Sequence, residues 1–362
     1  MFVAWRDLKF AKGRFALMGT VIVLITLLVG LLSGLTAGLG RQNISAITGL
    51  PADKIAFAAP SGDQDLSYAN STVTEDQWRR WAAAPGVTSA EPLGITTTRA
   101  TAGTRSSGVS AFGVQPGSAL APDSGKLTEQ SAVLSTAAAD DLGVHAGDTV
   151  TLAGQRLTVA AVAGDAFFSH TPVVWTSLEF WRGTAPPTSD GDGPIATVIA
   201  LTTTSGADIA ATDHTIGTAT VTKDDSLSAI GSYTSENGSL QLMRGFLFAI
   251  SALVIGAFFT VWTIQRSGDI AVLKALGATT TGLLKDALGQ AVVLLAGGTL
   301  IGTGLAAGLG AAIAGSAVPF VLTPATVLVP AAVMILLGAL GAALSIRRIT
   351  SVDPLTALGS AR

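Results

Sequence analysis

"FALMGTVIVLITLLVGLLSGLTAGLG", residues 15–40, runs for twenty-six positions without a charged side chain. A helix needs roughly 20 apolar residues to cross the ~30 Å hydrocarbon core of a bilayer, so this stretch reads as a membrane span. Three more stretches qualify, at 242–265, 288–314 and 325–346. The chain is 49% hydrophobic and only 12% charged, which excludes an ordinary soluble domain and points to an integral membrane protein. Arg6, Lys9, Lys12 and Arg14 precede the first span as they would in a signal peptide. Its apolar run exceeds the usual ~7–15 residues, however, and no convincing A-x-A cleavage site follows, so it is read as a retained helix.

The distribution of charge gives the orientation. The N-terminal residues Arg6, Lys9, Lys12 and Arg14, the short loop residues Arg266, Lys274 and Lys285, and the C-terminal Arg347, Arg348 and Arg362 are accompanied only by Asp7, Asp269, Asp286 and Asp353. The long segment 41–241, with its flank through Arg244, is net acidic. Basic residues in short loops mark the cytoplasmic side, so both termini and the 266–287 loop are expected there and the long segment outside. The predicted fold is membrane α-helical, with four transmembrane helices and a large extracellular α+β domain inserted between helices 1 and 2. In order, the chain divides into a cytoplasmic amphipathic helix (1–14), helix 1 (15–40), the extracellular domain (41–241), helix 2 (242–265), a cytoplasmic hairpin (266–287), helix 3 (288–314), a short extracellular loop (315–324), helix 4 (325–346) and a cytoplasmic tail (347–362).

Within the exported segment, "LGVHAGDTVTLAGQRLTVAAVAGD" (142–165) has two alternating β-branched runs joined by Ala153-Gly154-Gln155, the pattern of a hairpin. "TEDQWRRWAAAPGV" (74–87) reads as a short helix, with Thr74 and Gln77 forming a capping box and Pro85-Gly86 ending it. "TAPPTSDGDGP" (184–194) reads as a surface loop. The chain has no cysteine, which excludes disulfides, thiolate metal sites and thiol nucleophiles. His145, His170 and His214 form no H-x-x-x-H or H-E-x-x-H pairing and read as surface or hydrogen-bonded residues. There is no G-x-S-x-G elbow and no G-x-x-x-x-G-K-[ST] loop, so neither serine hydrolysis nor nucleotide hydrolysis by that route is indicated. In the third span, Gly298-xxx-Gly302 and Gly304-xxx-Gly308 read either as close helix contacts or as part of a general Gly/Ala enrichment.

"QRSGDIAVLKALGATTTGLLKDALGQ" (265–290) reads as a charged helix, a break at Gly277 and a second helix returning to the membrane. This hairpin resembles the coupling segment of ABC transporter permeases of the macrolide-exporter, lipoprotein-release and FtsX class. That class combines four spans, a large ectodomain between the first two, an R-x-x-[ED]-[IFL]-x-x-[LM]-[KR]-[AT]-[LIM]-G-A run and a C-terminal D-P-x-x-A-L. The run stands here as Arg266 to Ala278 and the ending as Asp353 to Leu358. "LLSGLTAGLGRQNIS" (31–45) and "DALGQ" (286–290) are similar to segments of the permeases of Gram-positive haem-efflux ABC transporters. The resemblance implies a non-catalytic subunit of the plasma membrane that forms a homodimer and binds two copies of a separate ATPase subunit carrying ATP and Mg. It implies no intrinsic cofactor, haem as the transported substrate, contact with membrane lipid and no nucleic-acid partner. Docking of the ATPase is implied at Arg266, Asp269, Ile270, Leu273, Lys274, Leu276 and Gly277. An exporter of another amphiphile, such as a peptide, drug or lipid, and an FtsX-like regulator of a cell-wall hydrolase are the competing readings. The helix at 2–10 reads either as an interfacial element moving with the coupling segment or as an anchor.

"SYTSENGSLQLMRGF" (232–246) joins the polar segment to the second span. On a helix, Tyr233, Glu236, Leu240, Met243, Arg244 and Leu247 share a stripe about 120° wide. Gly238 argues that the helix starts only after it, since an interior glycine costs about 1 kcal/mol. Given the resemblance, the stripe in a two-fold dimer would meet its copy, with Leu28, Leu31, Leu35 and Leu39 walling a slot for haem. Glu236 is the first choice for the iron, followed by Tyr233 and Met243, and Arg41 or Arg244 would face the propionates. Interfacial anchoring is the plain alternative for the same residues.

Overall fold

The computed structural model describes residues 12–184, 195–265, 268, 272, 276–313 and 318–347. The chain divides into two compact units. One comprises residues 39–238, and the other the sequence before it together with the sequence after it.

The globular unit is an α+β domain with ten strands among the described residues. Strands β1 (Lys54–Ala58), β2 (Val87–Ala102), β3 (Arg105–Val114), β4 (Ser131–Leu134), β5 (Thr149–Leu152), β6 (Gln155–Val162), β7 (Phe167–Phe168), β8 (Thr171–Ser177), β9 (Val198–Thr203) and β10 (Thr218–Thr222) follow the order β10-β1-β9-β2-β3-β8-β4-β6-β5. The long β2 serves two sheets. Its first half pairs with β9 and its second half, from Gly94 onward, with β3. Its far end also pairs with β5 through Ala100 and Thr101, so β2-β3-β8-β4-β6-β5 closes on itself as a six-stranded barrel and needs no free edge there. Gly94 and Gly113 stand opposite each other, and a Cβ on either would overlap Trp181, whose indole N–H donates to Thr96 Oγ1 at 2.8 Å. Short helices cover the sheets: α2 (Glu75–Ala82), α3 (Thr136–Leu142), α4 (Leu178–Thr184) and α5 (Ile209–Ile216). The Thr74–Gln77 capping box starts α2, and the β5–β6 connection is a two-residue turn, Ala153-Gly154, with Leu152 opposite Gln155. Both turn residues have positive φ, as a type I′ turn requires. The sequence 185–194 lies outside the described residues.

The largest core of this unit runs through Phe57, Tyr68, Phe112, Phe168 and Trp175, linked by edge-on ring contacts. Ala46, Ile47 and Leu50, at the end of the first membrane helix and just beyond it, are buried in the same core, and Tyr233 packs against it. Burying a side chain such as Ile47 or Phe168 stabilises the fold by about 1.5–3 kcal/mol. Both the last turns of that helix and the start of the next are thereby fixed against the sheet.

Among the described residues, four helices are long and apolar enough to cross a bilayer, α1 (Lys12–Thr48), α6 (Tyr233–Gln265), α7 (Thr280–Ile313) and α8 (Pro324–Arg347), and the membrane unit holds them apart from the end of α1 after residue 38 and the start of α6 before residue 239. Each exceeds its predicted span. α1 continues eight residues beyond residue 40 because its last turns pack into the globular core, and α6 begins at Tyr233 and passes through Gly238 without a break. Phe15, Met18, Ile22, Phe259, Trp262, Leu295 and Met334 form the core of this unit. Small residues permit the closest approaches, since lipid supplies no hydrophobic drive for helix association. A Cβ on Gly302 would lie 2.6 Å from the Val23 carbonyl oxygen of α1, and one on Gly341 of α8 would lie 3.3 Å from Gly256 Cα of α6. Phe320, in the connection between α7 and α8, fills a slot at Gly34 and Gly310, and Val321 N–H donates to the Gly34 carbonyl at 3.1 Å.

Candidate functional site

Three elements of the globular unit converge on one carboxylate. α1 contributes Asn43, which is buried; α6 contributes Glu236 in its first turn; and the β7–β8 turn contributes His170. His170 Nε2 lies 2.6 Å from Glu236 Oε2, and Asn43 Nδ2 donates to the same oxygen at 2.9 Å. A carboxylate only accepts, so the imidazole must carry its proton on Nε2. Asn43 Nδ2 also lies 3.2 Å from Ser232 Oγ, which closes the group on its α6 side. The His170 and Glu236 side chains are 33% and 41% exposed, so the pair sits at the surface of the unit and a ligand can reach it.

Local sequence explains why His170 is there. Phe168 pairs with Thr171 across a two-residue turn, which puts Ser169 and His170 at φ 48° and 64°. This left-handed conformation normally calls for Gly or Asn and costs other residues about 1–2 kcal/mol each. It is held by hydrogen bonds to α1: Phe167 N–H donates to Ser45 Oγ at 2.8 Å, Ser169 N–H to the Asn43 carbonyl at 2.9 Å and His170 N–H to the Gln42 carbonyl at 3.0 Å. Phe168, buried in the aromatic core, anchors the other side of the turn.

The remaining predicted site residues fall as follows. In the globular unit, Arg41 is paired with Asp165, Tyr233 is half-buried against the core and Leu39 is half-buried. In the membrane unit, Leu28 and Met243 are exposed while Leu31, Leu35, Leu240 and Arg244 are half-buried. Arg244 Nε is buried without a hydrogen-bond partner among the described residues. Of the coupling residues, Arg266, Asp269, Ile270, Leu273 and Lys274 lie outside the described residues, as do the helix at 2–10 and the tail from 348. Leu276 is exposed, and Gly277 adopts φ 94°. Gly298 and Gly302 pack on α1, whereas Gly304 and Gly308 have nothing within 4 Å of a would-be Cβ. Among the described residues no group of three or more His, Asp or Glu side chains could hold a metal ion.

Residues 15–219, more than half of the chain, match the family described as MacB-like periplasmic core domain, and residues 242–354 match the FtsX-like permease C-terminal family. The chain is an ABC transporter permease of the MacB/FtsX class. Four membrane helices with a MacB-like α+β domain between the first two are the architecture of this permease. It is 26% identical over 367 residues, covering 99% of both chains, to a protein of Staphylococcus epidermidis named putative hemin transport system permease protein HrtB. It is 25% identical over 375 residues, again 99% of both, to an uncharacterized ABC transporter permease of Mycobacterium bovis. The extracellular domain of the ABC-type transporter YknZ aligns with 47% of the permease and 99% of its own chain, at 17% identity and a TM-score of 0.35.

Of the polar group, Asn43 falls within "LLSGLTAGLGRQNIS" (31–45) and Ser232 opens "SYTSENGSLQLMRGF" (232–246), but neither is named as a site residue from the sequence, and His170 reads only as a surface or hydrogen-bonded residue. The available signal is "FFSHT" (167–171), an apolar pair and a β-branched residue around a two-residue turn that lacks the expected glycine.

Proposed function

We propose that this permease is the membrane subunit of an ABC-type efflux pump that removes haem from the outer leaflet. In this reading it works as a homodimer with two copies of a separate cytoplasmic ATPase, and the permease itself is not catalytic. Both termini and the coupling hairpin are cytoplasmic and the globular unit is outside, as the basic short loops favour. The observation that carries the reading is the end-to-end similarity to a protein named as a hemin transport permease. The polar group supports it chemically. Glu236 is an anionic oxygen donor in the first turn of α6, half-exposed, with apolar residues following along the same helix. A carboxylate suits a pump, because it holds ferric iron more loosely than paired imidazoles and releases it more readily. Leu28, Leu31, Leu35, Leu39 and Leu240 supply apolar surface for a macrocycle, Arg41 and Arg244 supply cations for its propionates, and Tyr233 and Met243 are further oxygen and sulfur donors.

Haemin titration of the purified permease, followed at the Soret band, tests this directly. Binding is expected for the wild type. Glu236→Ala should bind more weakly with a shifted Soret band, and cells carrying it should become haem-sensitive although ATPase activity persists. An unchanged Soret band together with wild-type haem tolerance removes Glu236 from the site. No haemin binding by the wild type removes haem and leaves another amphiphile or a regulatory role.

A further inference from the structure

The hydrogen bonds at Glu236 are one-sided. His170 and Asn43 both approach Oε2, and no hydrogen bond among the described residues falls on Oε1. A carboxylate held by one oxygen has its rotation fixed and its second oxygen presented outward. The cost of this arrangement is visible in the backbone, where a histidine occupies a left-handed turn position next to a serine in the same conformation, and hydrogen bonds to α1 hold both. Strained backbone maintained by surrounding structure is characteristic of functional positions. Asn43 is 2% exposed and its amide is spent on Ser232 and Glu236.

We infer that His170, with Asn43, is a positioning residue: the two hold the Glu236 carboxylate by Oε2 and aim Oε1 at the iron of the substrate. This rests on the reading of Glu236 as an iron ligand. Residues that orient a metal ligand from behind typically govern affinity by about 10–100-fold. His170 is the more informative of the two, since it reaches Glu236 from a separate hairpin.

The experiment is haemin titration of the full permease in detergent, comparing wild type with His170→Gly, His170→Gln, Glu236→Ala and the double variant Glu236→Ala/His170→Gly. Glycine accepts the positive φ, so the turn persists without the imidazole, and glutamine restores an N–H donor near the position of Nε2. The expected result is 10–100-fold weaker binding for His170→Gly, substantial recovery in His170→Gln, and no additional loss from His170→Gly in the Glu236→Ala background. Wild-type affinity of His170→Gly alongside a weakened Glu236→Ala overturns the inference and leaves the iron-ligand reading standing. An equal loss from His170→Gly with and without Glu236 also overturns it, since His170 would then act independently of the carboxylate. Wild-type binding by Glu236→Ala defeats the underlying reading itself.

Discussion

The glycines of α7 offer a test of the membrane packing in which the sign of the effect changes along one helix. Replacing any interior helical glycine by alanine gains up to about 1 kcal/mol of helix propensity. Against that stands whatever the new methyl group meets. At Gly302 it would lie 2.6 Å from the Val23 carbonyl oxygen, 2.8 Å from Thr26 Cβ and 3.2 Å from the Leu27 nitrogen. Two of these are backbone atoms of α1, which cannot rotate away, so the helices must part. Overpacking of this kind costs about 1–3 kcal/mol, leaving Gly302→Ala destabilised by roughly 1 kcal/mol net. At Gly298 the methyl meets Ile22 Cγ2 at 2.7 Å and Cβ at 3.0 Å; a rotamer change relieves the first and a small shift the second, a lesser penalty than at Gly302 that brings the balance near zero. Gly304→Ala and Gly308→Ala meet nothing within 4 Å and should keep the full gain. Unfolding of the purified permease in mixed detergent micelles, followed by helical circular dichroism, should rank Gly302→Ala below wild type, Gly298→Ala close to it, and the other two above it. A Gly302→Ala variant as stable as Gly304→Ala would refute the α1–α7 packing. Loss of stability at Gly304 or Gly308 relative to wild type that vanishes on dilution would instead place a second copy of the chain on that face.

Two further outcomes are expected. Burial pushes the Tyr68 hydroxyl above its ordinary pKa, although its hydrogen bond to Ser226 Oγ at 2.9 Å works in the opposite direction. The folded domain therefore keeps this proton where the unfolded chain loses it near pH 10: stability is intact below pH ~10 and falls as pH rises above it. Thermal midpoints at pH 8 and pH 10.5 should show the drop, and Tyr68→Phe should reduce it while costing about 1 kcal/mol at neutral pH. In the predicted coupling segment, the φ of 94° at Gly277 is accessible to glycine and strained for other residues. On the proposed reading, Gly277→Pro and Lys274→Glu should each abolish haemin-stimulated ATPase activity and co-purification of the ATPase while haemin binding to the permease persists; normal stimulation would contradict the coupling assignment.

The membrane helices were legible because their signal is local and additive: twenty consecutive apolar residues cannot be accommodated elsewhere. The ends were less so. α1 continues to Thr48 because Ile44, Ala46 and Ile47 find partners in the β-sheet core, and no property of "RQNIS" by itself reveals that those partners exist. Likewise the glycine cost that argues for a start after Gly238 is outweighed by Tyr233, which packs on the same core and holds the first turn of α6 in place. The β5–β6 hairpin and the α2 capping box, each specified within a dozen residues, could be read directly. Closure of the barrel through Ala100 and Leu152 could not, because that pairing joins residues 52 positions apart and depends on β2 serving two sheets.

The candidate site divides in the same way. Glu236 stands out in the sequence because an acid beside a membrane span is conspicuous against its neighbours. His170 does not, since a single histidine in a polar turn has the composition of any surface loop, and its partner lies 66 positions away. Its contact with Glu236 depends on two facts available only in three dimensions. The turn is pinned to α1 through the carbonyls of Gln42 and Asn43, and the start of α6 lies beside that same stretch of α1, joined through Asn43, Ser232 and Glu236. Each link alone is a modest hydrogen bond of about 1 kcal/mol. Together they make the orientation of one carboxylate depend on three chain segments at once, so displacing either helix end would alter the bonds to Oε2 as well as the space beside Oε1. A carboxylate so held can bind a ligand firmly in one arrangement of these helix ends and weakly in another, which is what the proposed efflux reading requires of Glu236.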